Sequence, residues 1–182
     1  MKSTLILSAA ALALLSACAS MSPMKQPMFS QAALPDAVKV PAGQKVALET
    51  VGVGEITYEC REKQAAAGQF EWAFVGPNAV LNDRGGKAIG KYYGPPATWE
   101  AMDSSKVTGA QVAVAPATPG SIPLQLVKAN PAMGQGAMTG VSYIQRVATQ
   151  GGVAPASACG MDSKGRKEIV KYQADYIFWA AM

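Results

Sequence analysis

Val170-Lys171-Tyr172-Gln173-Ala174-Asp175-Tyr176-Ile177-Phe178 alternates apolar and polar side chains with a period of two. Val170, Tyr172, Ala174, Tyr176 and Phe178 share one face, while Lys171, Gln173 and Asp175 lie on the other. That is the pattern of a half-buried β-strand. The same period recurs upstream, where Ile56, Tyr58 and Cys60 alternate with Thr57, Glu59 and Arg61. Phe70, Trp72 and Phe74 repeat it against Glu71, Ala73 and Val75, and the three rings are expected in the core. Turn signals separate the runs: Asn82-Asp83-Arg84-Gly85-Gly86, Gly94-Pro95-Pro96, Asp103-Ser104-Ser105, Gly151-Gly152 and a last hairpin at Asp162 to Gly165. Past the leader described next, Glu62 to Ala67 alone looks helical, and it reads as one turn in a loop. Many short strands with Gly/Pro punctuation predict one all-β domain over residues 35–182. An antiparallel β-sandwich is expected, with a closed β-barrel as the alternative. Gly52 and Gly54 inside a strand predict a bulge or a close backbone approach.

The chain starts differently. Lys2 precedes an apolar run from Leu5 to Leu15 broken only by Ser8, the layout of a secretory signal and too short to span a bilayer. Leu15-Ser16-Ala17-Cys18 then resembles a bacterial lipobox. The resemblance implies a diacylglyceryl thioether on Cys18, cleavage before it, and acylation of the new amine by a fatty acid such as palmitate. Residues 1–17 are thus expected to be a signal peptide and 18–34 a flexible tether rich in small residues and proline. Ala19 after the lipidated cysteine resembles lipoproteins sorted to the outer membrane. A lipid-anchored protein of the bacterial cell envelope is the expected address, with the membrane as its partner through Cys18.

Composition removes several classes of chemistry. The 182 residues contain no histidine, which excludes Ser-His-Asp and Cys-His catalysis and imidazole-ligated zinc. Sixteen basic against twelve acidic residues give a net charge of +4, but the basic residues are scattered, so no nucleic-acid partner is expected. Met21, Met24 and Met28 suit Cu(I) in principle; three methionines in a linker read as incidental, and neither metal nor cofactor is expected. With Cys18 lipidated, Cys60 and Cys159 remain. Export favours a bridge between them that staples the start of the domain to its end, the alternative being two buried thiols.

Four blocks carry a family resemblance: Gly54-Glu55-Ile56-Thr57-Tyr58-Glu59-Cys60, Gly94-Pro95-Pro96-Ala97-Thr98-Trp99-Glu100, the run from Ile144 to Pro155, and Tyr172 to Phe178. In this order they resemble an uncharacterised secreted family of bacteria and fungi, domain of unknown function 3455, over nearly all of residues 35–180. The resemblance implies cysteines at positions 60 and 159, in keeping with the bridge. It brings no activity. Some fungal relatives carry a malate-dehydrogenase label, but Gly52-Val53-Gly54 is only a fragment of a dinucleotide-binding turn, with Thr57 in place of its third glycine. The chain also departs from the family pattern. Tyr92 stands where relatives usually have His, Ser104 replaces a Gly, and Ala148 sits where Asn is common.

Candidate chemistry gathers around Tyr92, Tyr93, Trp99, Glu100 and Asp103, with Arg146 from a distant strand. Glu100 and Asp103 would be the acid/base pair of a carbohydrate-active hydrolase. The bland reading makes Trp99 core and leaves the two carboxylates solvated or paired with Arg146. For a binding site, Tyr92, Tyr93, Trp99 and Trp179 are the rings to stack on sugars; Lys128, Lys171 and Arg146 are the cations that would add affinity for an anionic ligand, though three scattered charges read as ordinary surface. The glycine-rich loop Thr149 to Pro155 is expected to serve conformation, through positive φ, rather than a ligand. The balance favours a non-enzymatic binding or structural domain at the cell surface. A polysaccharide or envelope polymer is its expected ligand.

Overall fold

The computed structural model describes residues 29–182. The expected signal peptide over residues 1–17, the expected lipidation site Cys18, and Met21, Met24 and Met28 lie outside the described residues.

Eight strands follow one another: β1 (Gln44–Glu62), β2 (Phe70–Asn82), β3 (Ala88–Tyr93), β4 (Thr98–Ala101), β5 (Lys106–Ala115), β6 (Leu124–Ala129), β7 (Val141–Gly151) and β8 (Lys167–Ala181). Each pairs antiparallel with the next, and β8 returns to pair with β1 from Gln44↔Ala181 to Glu59↔Lys167. The pairing closes on itself, so the all-β domain has the barrel arrangement. Two long strands make closure possible. β1 spans nineteen residues and β8 fifteen, and β1 carries register shifts at Val46/Leu48 and Thr57/Tyr58 that bend it. Among the described residues, closure leaves no strand of the sheet as a terminal edge strand.

Glycine supplies the remaining curvature. A Cβ on Gly52 would sit 2.6 Å from the Tyr176 ring, and one on Gly54 would sit 2.1 Å from the Asn78 carbonyl oxygen. The expected close approach is therefore present at both positions. Where β7 ends, Gly151 and Gly152 have φ of +67° and +81°, as a conformational role requires. Residues expected as a helical turn at 62–67 form hydrogen-bonded turns capped by Glu62, whose carboxylate accepts from Gly68 N–H.

The period of two sorts side chains into a barrel interior and an outer wall. Ile56, Tyr58, Leu81, Tyr92, Trp99, Val107, Val127, Ile144, Tyr172, Ala174, Tyr176 and Phe178 fill the interior. A second cluster lies outside, where Leu126, Val147, Ile177 and Trp179 are covered by Val38 and Val40 of the segment before β1. Residues 29–34, expected within the tether, are already docked here. Phe29 meets Trp179 edge-on at 6.3 Å, Leu34 packs on the cluster, and the Gln31 side chain bonds the Val40 backbone in both directions. Cys60 and Cys159 are disulfide-bonded, joining the end of β1 to the loop before β8 across 99 residues. Of the three rings expected in the core from Phe70 to Phe74, Trp72 only borders it and Phe74 is 53% exposed. The bulge opposite Thr57/Tyr58 shifts the register next to Phe74, whose ring lines the barrel mouth.

Candidate functional site at the barrel mouth

Tyr92 of β3 pairs directly with Trp99 of β4, so both side chains point to the same face. They stack inside the barrel with ring centroids 4.7 Å apart and 20° between planes, and Tyr176 of β8 meets both rings. Above this aromatic floor a cavity of about 340 Å³ opens to solvent. Phe74, Pro77, Pro95 and Val127 give it apolar walls; Gln111, Gln125 and Arg146 give it polar ones. Phe74 leans edge-on against Tyr58 at 6.1 Å. The rim at Gly94-Pro95-Pro96 contains two cis peptide bonds.

Arg146 alternates with Ile144 on the inward face of β7 and is partly buried. Its Nε and Nη2 donate to the Pro123 carbonyl at 3.2 and 2.9 Å, which pins the guanidinium at the mouth. Among the described residues no carboxylate lies within ion-pair distance of it, and no Asp or Glu lines the cavity. Gln125 donates to Gln111 Oε1 at 2.7 Å, which leaves the Gln111 amide nitrogen free to donate. Trp99 is 1% exposed, and its Nε1 is a buried donor without an acceptor. The tyrosine hydroxyls behind the floor are neutral. Burial holds Tyr58, Tyr92, Tyr172 and Tyr176 above the ordinary phenol range, with Arg146 pulling weakly the other way. Tyr58 donates to the Gly152 carbonyl at 2.8 Å, and the Tyr172 and Tyr176 hydroxyls bond each other at 3.2 Å.

The structure brings Tyr92, Trp99 and Arg146 together and separates the other sequence candidates from them. Tyr93 and Glu100, one residue out of phase with Tyr92 and Trp99, face the outer wall. There the Tyr93 hydroxyl donates to Glu100 at 2.7 Å, and Lys91 sits 3.2 Å from the same carboxylate. These partners hold the Glu100 carboxyl below its usual range. Asp103 occupies the β4–β5 turn, where it accepts from the Ser105 hydroxyl, the Ser105 N–H and the Ala137 N–H. The Ser105 hydroxyl foremost depresses its pKa as well. Neither carboxylate lines the cavity, and neither is kept protonated as a general acid must be. Trp179 lies on the outer cluster, its Nε1 donating to Gln145 at 2.8 Å. None of the buried rings of Tyr92, Trp99 and Trp179 offers a free face to a sugar chain.

Sequence reading missed Phe74, Gln111 and Gln125. The two glutamines had a usable signal, Gln111 sharing the period-two face of Val107 and Gly109, and Gln125 that of Val127 and Ala129. Phe74 had none, because its exposure follows from a bulge. A second concavity, shallower and about 540 Å³, lies on the outer wall between Val53, Glu55, Lys171 and Gln173. Glu55 and Lys171 face each other there as cross-strand partners, so its charges are balanced.

No curated protein and no solved structure matches the chain. A family model does, over residues 41–180, and it covers all eight strands but for the last residue of β8. The chain belongs to the family described as Protein of unknown function (DUF3455).

Proposed function

We propose that this is an envelope lipoprotein, anchored through Cys18, whose barrel presents one ligand site at its mouth. It binds and does not turn over its ligand. The observation that carries this reading is Arg146, a cation in a concave cavity that Tyr92 and Trp99 also line, with no carboxylate to neutralise it. A buried or half-buried charge without a partner is costly, and a ligand that supplies the counter-charge recovers that cost. The cavity offers no nucleophile paired with a base, and its tyrosines resist ionisation. A small ligand suits the site better than a polymer, because the rings that would stack on a glycan are buried.

The test is a native mass spectrum of the full chain, expressed in a bacterial envelope and extracted in mild detergent. The expected mass carries the lipid at Cys18 and a small adduct that Arg146→Gln loses. Recovery of unlipidated chain from the soluble fraction would overturn the anchor. An adduct kept unchanged by Arg146→Gln would overturn the site.

A further inference from the structure

The polar inventory of the mouth leans toward donors. Of the five N–H donors of Arg146, two are spent on Pro123, leaving the Nη1 and Nη2 end of the guanidinium open. The Gln111 amide nitrogen adds a donor, Gln111 Oε1 accepts from Gln125, and Gln125 Oε1 is left as an unpartnered acceptor; Trp99 Nε1, a donor without an acceptor, is buried in the floor. A site rich in donors selects a group that only accepts. The lining also holds a single charge, with no lysine and no second arginine. One positive charge in a partly desolvated pocket balances one negative charge; a phosphate dianion would remain half uncompensated. The open end of a guanidinium matches the two oxygens of a carboxylate. Phe74, Pro77, Pro95 and Val127 make the apolar part of the wall, which fits an apolar body, and the two glutamines are too few to pair every hydroxyl of a sugar acid. The volume, near the lower end for small-molecule sites, limits that body to about one ring or a short alkyl chain.

From this inventory we infer that the mouth binds a small organic monocarboxylate with an apolar body, the carboxylate on Arg146 and the body against Phe74 and Pro95. The inference rests on the mouth being the binding site.

Phenylacetate is a suitable probe, titrated into the full chain in detergent while the indole N–H resonances are followed by NMR. Phenylacetamide tests the charge, benzylphosphonate the charge number, and glucuronate the apolar body. Phenylacetate is expected to shift the Trp99 N–H and to bind about tenfold or more tighter than each of the other three. Arg146→Gln should remove that preference, and Arg146→Lys, which keeps the charge but not the fork, should restore part of it. Unchanged Trp72 and Trp179 resonances would show that both variants remain folded. Equal binding of phenylacetate and phenylacetamide with the Trp99 shift retained would overturn the carboxylate and leave the mouth site standing. Tighter binding of benzylphosphonate or glucuronate would do the same. Absence of any Trp99 shift with all four probes would overturn both readings.

Discussion

Tyr92 and Trp99 are cross-strand partners whose rings stack at 4.7 Å inside the barrel, and they line the same cavity as Arg146. The pair joins stability to function, since it fills the interior and sets the depth of the cavity. Truncating Tyr92→Ala removes a 6%-exposed aromatic ring and should destabilise the barrel by about 3–5 kcal/mol in denaturant unfolding. Tyr92→Phe keeps the stack and should lie within about 1.5 kcal/mol of the native chain.

Two non-glycine residues, Ser104 and Ala148, have positive φ, 68° and 48°. Both are positions where the family resemblance points to another residue, Gly at 104 and Asn at 148. The left-handed region costs an ordinary L-residue about 1–2 kcal/mol, part of which glycine's larger unfolded-state entropy offsets. Ser104→Gly and Ala148→Gly should each therefore raise stability by about 0.5–1 kcal/mol, read as a higher midpoint in denaturant.

Gly52 and Gly54 make an ordered pair of tests. A Cβ at Gly52 meets the edge of the Tyr176 ring, which can tilt; one at Gly54 meets the Asn78 carbonyl and the Ala79 backbone, which cannot. Gly52→Ala should cost about 1–3 kcal/mol, and Gly54→Ala clearly more. Equal effects would show that the ring at 176 is as fixed as the backbone at 78.

Alkaline titration probes the interior. Burial raises the folded-state pKa of Tyr58, Tyr92, Tyr172 and Tyr176 above the unfolded value. Their stabilising contribution is therefore complete below the unfolded value of about 10, and it is lost as pH rises toward the folded values. Phenolate absorbance of these four should appear together with loss of the barrel's circular dichroism. Ionisation of any of the four in a folded barrel would mean that the interior admits water.

Much of this was legible in the chain. The alternation in Val170 to Phe178 gives β8 its correct inner and outer faces, and Gly52, Gly54 and the Cys60–Cys159 bridge stand where their residue types imply. Closure was not legible, because it depends on β1 and β8 finding each other across the whole sequence. The site was half legible. Period two alone puts Tyr92 and Tyr93, or Trp99 and Glu100, on opposite faces, yet proximity along the chain grouped them together. Phe29 to Leu34 read as tether because a short segment docked on an outer wall carries no periodicity.

The most direct test is a set of intermolecular NOEs between phenylacetate and the full chain. The account predicts contacts from the ligand ring to Phe74 and Pro95, and from its methylene to the Trp99 indole N–H. Contacts confined to the outer wall, at Val53, Lys171 or Gln173, would contradict it.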